Sequence, residues 1–225
     1  MITREPLETS FALAEMDALA ARLIARARPV RFGIAQTPTE LEAVYRLRYR
    51  TVITRGWAGP EDFSDGLERD AYDATAIHIG GWDGTLLVAA SRFVLPMPGH
   101  PLPTEEAAGL EITSERRVAE VGRVCIAPEY SSVQHRVFWG LLCRTWVEMR
   151  AYGFTEACGT LTPSVARMYR SWGLQVVKLG AARRCWGQER YPALIRPAES
   201  VSAFTQTVER LRAACNSCDV AIDGP

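Results

Sequence analysis

The side chains of this chain best suited to chemistry are Arg48, Trp57, Asp70, Asp73, Arg92, Glu120 and Arg123. They are carried on the fragments RYRTVITRGW, LERDAYD, AASRF and AEVGRV. Each fragment sets a charge beside apolar residues, and a charge buried without a partner is costly. The set therefore suits a polar pocket assembled from several elements. Asp70 and Asp73 lie three apart, so on a helical turn they share a face and can hold an ammonium group or anchor Arg48 and Arg123. Glu120 and Arg123 have the same spacing, and a neighbouring arginine keeps a carboxylate ionised. Histidine or serine schemes find no support: the histidines are 78, 100 and 135, with no Gly-x-Ser-x-Gly or His-Glu-x-x-His motif.

The frame that must position these residues is an ordinary one. The chain has 225 residues, 48% hydrophobic and 23% charged, with 26 Lys plus Arg against 26 Asp plus Glu. That is enough for one substantial core, and the balanced charge favours neither nucleic acid nor anionic lipid as a partner. Lys178 is the single lysine. Acids at Glu5 and Glu8 precede any apolar run, unlike a signal peptide, and no apolar stretch is long enough to span a bilayer. The expected compartment is the cytoplasm. Of the six cysteines, Cys125, Cys143, Cys158 and Cys185 sit among apolar residues and are expected to pack as small hydrophobes. Cys215 and Cys218 form a CNSC pair with no second pair or histidine to complete a zinc site, so neither a metal nor a disulfide is expected.

Periodicity predicts an amphipathic helix over 9–28, a short strand at VRFGIA, and a second helix opened by Thr37, Pro38 and Glu40 that runs to about Arg55. A loop follows from Gly56 to Asp65. TAIHIGGW and TLLVAASRFVL read as a hairpin turning at Trp82-Asp83-Gly84. PMPGHPLPT cannot be a central strand, a short helix is expected over 105–110, and RRVAEVGRVCIA reads as a strand. Residues 133–153 form the clearest helix, stopped by Gly153. FTEACGTL, a helix closed by Gly173, strands at LQVVKLG and 190–195, and a helix at TQTVERLRAAC complete the pattern. The expected organisation is an N-terminal helical extension (1–30), a main domain (31–200), and a C-terminal helix and tail (201–225). The expected fold class is α/β with α+β mixing: a mixed β-sheet flanked by helices in three layers.

At RYRTVITRGW, DAYD, SRF and EVGR the chain resembles the acyl-homoserine-lactone synthase (autoinducer synthase) family, a branch of the GNAT acyltransferase fold. GTLTPSVARMYRSWGLQVVKLG resembles that family's stretch of a threonine, a helix and a turn into a strand, and the likeness spans roughly residues 31 to 200. There are departures. Val52 stands where the family has Phe, the interval from Arg48 to Trp57 is one residue short, and Gly122 replaces a common Ser. EVGRVCI also resembles acyl-carrier-dependent amine acyltransferases, including ornithine acyltransferases and N-acyl amino acid synthases.

The resemblance implies a GNAT-like sheet and an acyltransferase. It places Glu120, Arg92 and Arg123 at the catalytic centre and Arg48, Trp57, Asp70 and Asp73 around the amine substrate. It puts Thr162 in the acyl pocket, with Met168 and Trp172 as further candidates to line it. The amine must be deprotonated and brought to a thioester carbonyl, and Glu120 is the candidate to activate or orient it. Its alternative is a structural pair with Arg123. The leading reaction acylates S-adenosylmethionine from an acyl-[acyl carrier protein], with lactonisation and release of methylthioadenosine. The second acylates ornithine or a free amino acid, and the third reading is a non-catalytic acyl-carrier-binding module. No tightly bound cofactor is implied. IAPEYSSVQHRVFWG lacks the Gly-x-Gly with which CoA-using members cradle pyrophosphate, which favours the phosphopantetheine arm of acyl carrier protein. Arg144, Arg150, Arg167, Arg170, Arg183 and Arg184 are available to meet that acidic partner.

Overall fold

A computed structural model describes residues 5–112 and 117–219. Among the described residues six α-helices surround eight strands ordered β1-β2-β3-β4-β5-β8-β6, with β7 paired to β8. In chain order these are α1 (Glu5–Arg26), β1 (Arg31–Ile34), α2 (Pro38–Thr54), β2 (Ile77–Asp83), β3 (Leu86–Val94), α3 (Pro103–Ala108), β4 (Val118–Ile126), α4 (Gln134–Ala151), β5 (Glu156–Leu161), α5 (Pro163–Ser171), β6 (Val176–Lys178), β7 (Arg183–Cys185), β8 (Gln188–Ile195) and α6 (Pro197–Asp219).

The local signals act where they were expected. Thr37 caps α2 and receives the Glu40 amide at 3.2 Å, while the Glu40 carboxylate accepts the Thr37 amide at 2.9 Å. The β2–β3 turn passes through Gly84 at φ 59°, and Gly153 and Gly173 end α4 and α5 at φ 83° and 86°. Other boundaries move. α3 begins at Pro103, a favoured first helical position, and α6 begins at Pro197, well before the expected Thr205. The β7–β8 hairpin is new. β7 has only three residues, all exposed, so it carries no alternation to read. Cys185 lies in it and is exposed, whereas Cys125, Cys143 and Cys158 are buried as expected. The expectation for Cys215 and Cys218 falls on side chains outside the described set.

Side-chain alternation assigns the layers. Ser91 of β3 hydrogen-bonds Thr145 of α4 at 2.7 Å, while its neighbour Arg92 points to the side holding Arg48 of α2 and Asp73. α4 and α2 therefore cover opposite faces. α1 packs on α4 and α6, with Met16, Leu19, Ala20 and Leu23 buried against Trp139, Trp146, Phe204 and Val208.

β4 and β5 form the parallel pair, and they stay paired only over Val118–Glu120 and Glu156–Cys158. Beyond Glu120 both strands continue without each other, so the sheet splits in its middle. Gly159 stands at the fork, where a Cβ would lie 2.7 Å from the Val121 carbonyl oxygen. Glycine there lets the two strands part from close contact.

Candidate active site

The residues singled out by type converge on the α2 face, beside the split. Arg48 reaches Asp73 with both terminal nitrogens, at 2.8 and 3.0 Å, and Glu68 with its Nε. Arg92 donates to Asp70 at 2.6 Å and to Asp73 at 2.8 Å. Arg123 donates to Glu68 at 3.0 Å and to Asp70 at 2.8 Å. The Asp70–Asp73 turn is a short 3-10 helix in which the Asp70 amide binds Asp73 at 2.7 Å. Three guanidinium groups thus interlock with three carboxylates, deeply buried at Arg48, Glu68, Asp73 and Arg92 and partly open at Asp70 and Arg123.

Burial alone would raise the Asp73 carboxyl, but the hydrogen bonds and charge of Arg48, with Arg92, hold it well below the usual carboxylate range. Burial alone would likewise lower the Arg48 guanidinium, and Asp73 and Glu68 reverse that. His78, whose Nε2 lies 3.6 Å from Asp73, is kept low chiefly by its own burial.

Arg123 joins this network because the backbone bends. Between the pairs Arg92–Gly122 and Ala90–Cys125, β4 has two residues opposite the single Ser91, and Arg123 adopts φ 53°. This bulge turns toward Arg92 a side chain that simple alternation would send to the other face. Gly122 borders open space where a Cβ would meet nothing within 4 Å. That space adjoins Arg92, the partner of Gly122 across the strand pair.

Glu120 sits on the same face, paired with Val94 rather than directly across from Arg92. It is 7% exposed and has no ion-pair partner among the described residues, so the pairing with Arg123 considered as its alternative role is not formed. Its carboxylate accepts the Thr104 amide at 2.6 Å. Burial pushes the Glu120 carboxyl up to about 7, against the pull of that amide and of Arg92 and Arg123.

Trp57 follows α2, its amide bonded to the Val52 carbonyl at 3.0 Å, and its ring carries the Arg190 guanidinium at 4.9 Å. Trp186, in the β7–β8 turn, lies under Arg123 at 5.1 Å and stacks on Phe63 at 6.5 Å. Glu68, Trp186 and Arg190 escaped the sequence reading. Glu68 lies inside the fragment LERDAYD, but an acid in a loop gives no periodic signal of burial.

On the α4 face a cavity of about 90 Å³ opens against the same split. Its walls are almost wholly apolar and include Val121, Gly159, Trp139, Trp146, Trp172 and Phe204. Thr162 is not among them. Its hydroxyl accepts the Val165 amide at 3.3 Å and caps α5, a task that a threonine before Pro163 performs without any ligand. Met168 packs on the core outside the cavity, whereas Trp172 lines it.

The split sheet, the charged centre on one face and the apolar cavity on the other define a GNAT-type acyltransferase. The chain belongs to the N-acyl amino acid synthase FeeM family, whose profile matches residues 43–195. Among solved structures it is similar to TofI in a ternary complex with an inhibitor and MTA, at 23% identity and TM-score 0.61 over 78% of this chain and 96% of that one. It is similar to the AHL synthase LasI at 17% identity and TM-score 0.58, over 75% and 89%. FeeM, an N-acyl amino acid synthase from uncultured soil microbes, gives 16% identity and TM-score 0.59, over 76% and 93%. No curated protein sequence matches the chain significantly.

Proposed function

We propose that the enzyme moves an acyl group from an acyl carrier protein thioester to the α-amine of a free amino acid, forming an N-acyl amino acid. The observation that carries this reading is Glu120, a buried carboxylate without an ion-pair partner among the described residues, at the fork between a polar face and an apolar cavity. Glu120 takes a proton from the ammonium group, the free amine attacks the thioester carbonyl, and the C–S bond breaks as the departing sulfur takes the nitrogen's second proton, which releases the amide and the pantetheine thiol. Beyond Glu120 the edge of β4 has lost β5 as a partner, which leaves backbone N–H groups to stabilise the developing oxyanion. Asp70, Asp73, Arg48, Arg92 and Arg123 shape the acceptor pocket, and the apolar cavity takes the acyl chain.

S-adenosylmethionine is the second reading for the amine. It is favoured by the autoinducer-synthase pattern of the charged residues and by the likeness to LasI and TofI. The matched family profile, that of an N-acyl amino acid synthase, supports a free amino acid as the first reading. The aromatic contacts agree, since Trp57 and Trp186 each already carry an arginine, which leaves a sulfonium less aromatic surface to meet. Acyl carrier protein is the proposed donor because the turn at Pro128–Val133 contains no glycine to let pyrophosphate approach the backbone. Four of the six candidate docking arginines are engaged within the chain: Arg144 with Glu148, Arg150 with Asp17, Arg170 with the Val176 carbonyl, and Arg183 with Ala107 and Ala108. Arg167 and Arg184 remain exposed for the partner. These substrates place the reaction in the cytoplasm; no described helix is long and apolar enough to cross a membrane.

Purified protein, given an acyl-[acyl carrier protein] with the standard amino acids, ornithine and S-adenosylmethionine in turn, is expected to yield an N-acyl amino acid by mass spectrometry. Methylthioadenosine from S-adenosylmethionine, with every other amine inert, reverses the order of the two readings. A second expectation concerns chain length. Met16 of α1 lines the cavity from outside the matched residues. Met16→Phe fills part of it and lowers kcat/KM for the longest accepted acyl chain about tenfold, the scale of one or two methylenes of fit. An unchanged chain-length profile would remove α1 from the acyl wall.

A further inference from the structure

At the mouth of the split the charges are almost balanced. Arg48, Arg92 and Arg123 are matched by Glu68, Asp70 and Asp73. Two charges of opposite sign are left over. One is Glu120. The other is Arg190 on β8, which forms no hydrogen bond or ion pair among the described residues. Its Nε is shut off from solvent without a partner. Such a group is costly unless something arrives to accept from it.

Arg190 is also held in place. Its guanidinium carbon lies 4.9 Å from the centroid of the Trp57 ring, and its neighbour Tyr191 is paired in the sheet with Leu161. Arg123 is close enough for the two guanidinium groups to repel, and Arg123 is already paired with Glu68 and Asp70. Trp57 continues α2, so this arginine belongs to the face of Arg92 and Glu120, not to the face of the acyl cavity.

We propose that Arg190 is the binding residue for the carboxylate of the acceptor, with Glu120 receiving the amine of the same molecule. An α-amino acid carries both charges that the pocket leaves unmatched, and a guanidinium grips a carboxylate with two parallel hydrogen bonds. The assignment deepens the proposed function and rests on it. The other oxyanion able to reach an arginine here is the phosphate of the donor's pantetheine arm. That arm follows the acyl chain toward the cavity on the opposite face.

The experiment compares the preferred amino acid with its carboxamide, which lacks the carboxylate, on wild type, Arg190→Ala and Arg190→Lys. In the wild type the carboxamide is expected to show a KM about a hundredfold higher. Arg190→Ala raises the KM of the acid by about the same factor, leaves that of the carboxamide and the donor unchanged, and Arg190→Lys recovers part of the loss. An acid-to-amide preference that survives Arg190→Ala overturns the proposal. So does a rise in the donor KM that vanishes with the phosphate-free acyl-N-acetylcysteamine thioester, because it assigns Arg190 to the phosphate. If S-adenosylmethionine is the acceptor, the amino-acid reading fails, and the same comparison with its carboxamide still tests Arg190. If no amine is acylated, titration of tryptophan fluorescence with the amino acids and their carboxamides decides. Acid-selective quenching lost in Arg190→Ala supports the assignment, and no selectivity in wild type defeats it.

Discussion

Glu120→Gln is expected to leave a folded protein whose kcat has dropped by two to four orders of magnitude, roughly the worth of a positioned general base. Glutamine keeps the oxygen that accepts the Thr104 amide and loses only the capacity to take a proton. The wild-type rate should rise with pH through about 7, where the Glu120 carboxyl ionises. That limb should be missing in the variant. A base that titrates near the working pH is ionised often enough to act and basic enough to accept the amine's proton. Turnover close to wild type, or an acid limb that stays near 7 in the variant, would take the base assignment away from this residue.

The same substitution is expected to stabilise the protein at alkaline pH. The folded chain holds the Glu120 proton up to about 7, whereas the unfolded chain releases it at the ordinary 4.5. Across that window the native state binds more protons than the unfolded one, so the contribution of Glu120 to stability is lost as pH rises. At pH 8 the wild type pays for a buried carboxylate that glutamine does not carry. The variant should therefore gain about 2 kcal/mol there and little at pH 4, read from urea midpoints at the two values. Loss of rate combined with gain of stability is the signature of a group kept for chemistry.

What could be read from the chain follows from the range of each interaction. Thr37, Pro38 and Glu40 act within one turn of helix, and Gly153 and Gly173 end helices through their own backbone angles, so their signals are local. Arg48, Asp70, Asp73, Arg92 and Arg123 stood out because each is a charge among apolar neighbours, and the fold brings them into one network. Glu68 meets Arg48 across 20 positions and Arg123 across 55, and nothing in Gly-Leu-Glu-Arg distinguishes it from a solvated loop acid. Arg190 and Trp186 depend on a hairpin whose first strand is too short to show alternation. Thr162 shows the opposite difficulty. A threonine ahead of a proline at the start of a helix serves as a cap, and the same residue type also suits an acyl pocket. The stripe of α1 announced burial without naming what it covers, because a helix surface carries no record of its partner.

Asp73→Asn is expected to cost about 3–5 kcal/mol of stability and most of the activity, the largest structural effect of any single change at this site. Asp73 accepts from Arg48 at 2.8 and 3.0 Å, from Arg92 at 2.8 Å and from the Asp70 amide at 2.7 Å. An asparagine offers one acceptor and turns an NH₂ group toward donors. Arg48, 2% exposed, is then left short of a charge and of a hydrogen-bond partner in a place that water does not reach. The pH dependence separates this from a loss of packing. Burial works to raise the Asp73 carboxyl, the two arginines depress it further than burial raises it, and the folded value ends well below the ordinary 3.8. The native state therefore binds fewer protons than the unfolded one as pH falls below about 4, and the wild type loses stability across that acid range. Asp73→Asn should lack that acid slope while being less stable at neutral pH, where Asp73→Glu, with the charge kept and the reach altered, falls between the two. Urea unfolding at pH 3 and pH 7 reads both quantities. Equal acid slopes in wild type and Asp73→Asn would show that this carboxylate does not hold the arginines together, and the network would have to be anchored through Glu68 and Asp70 instead.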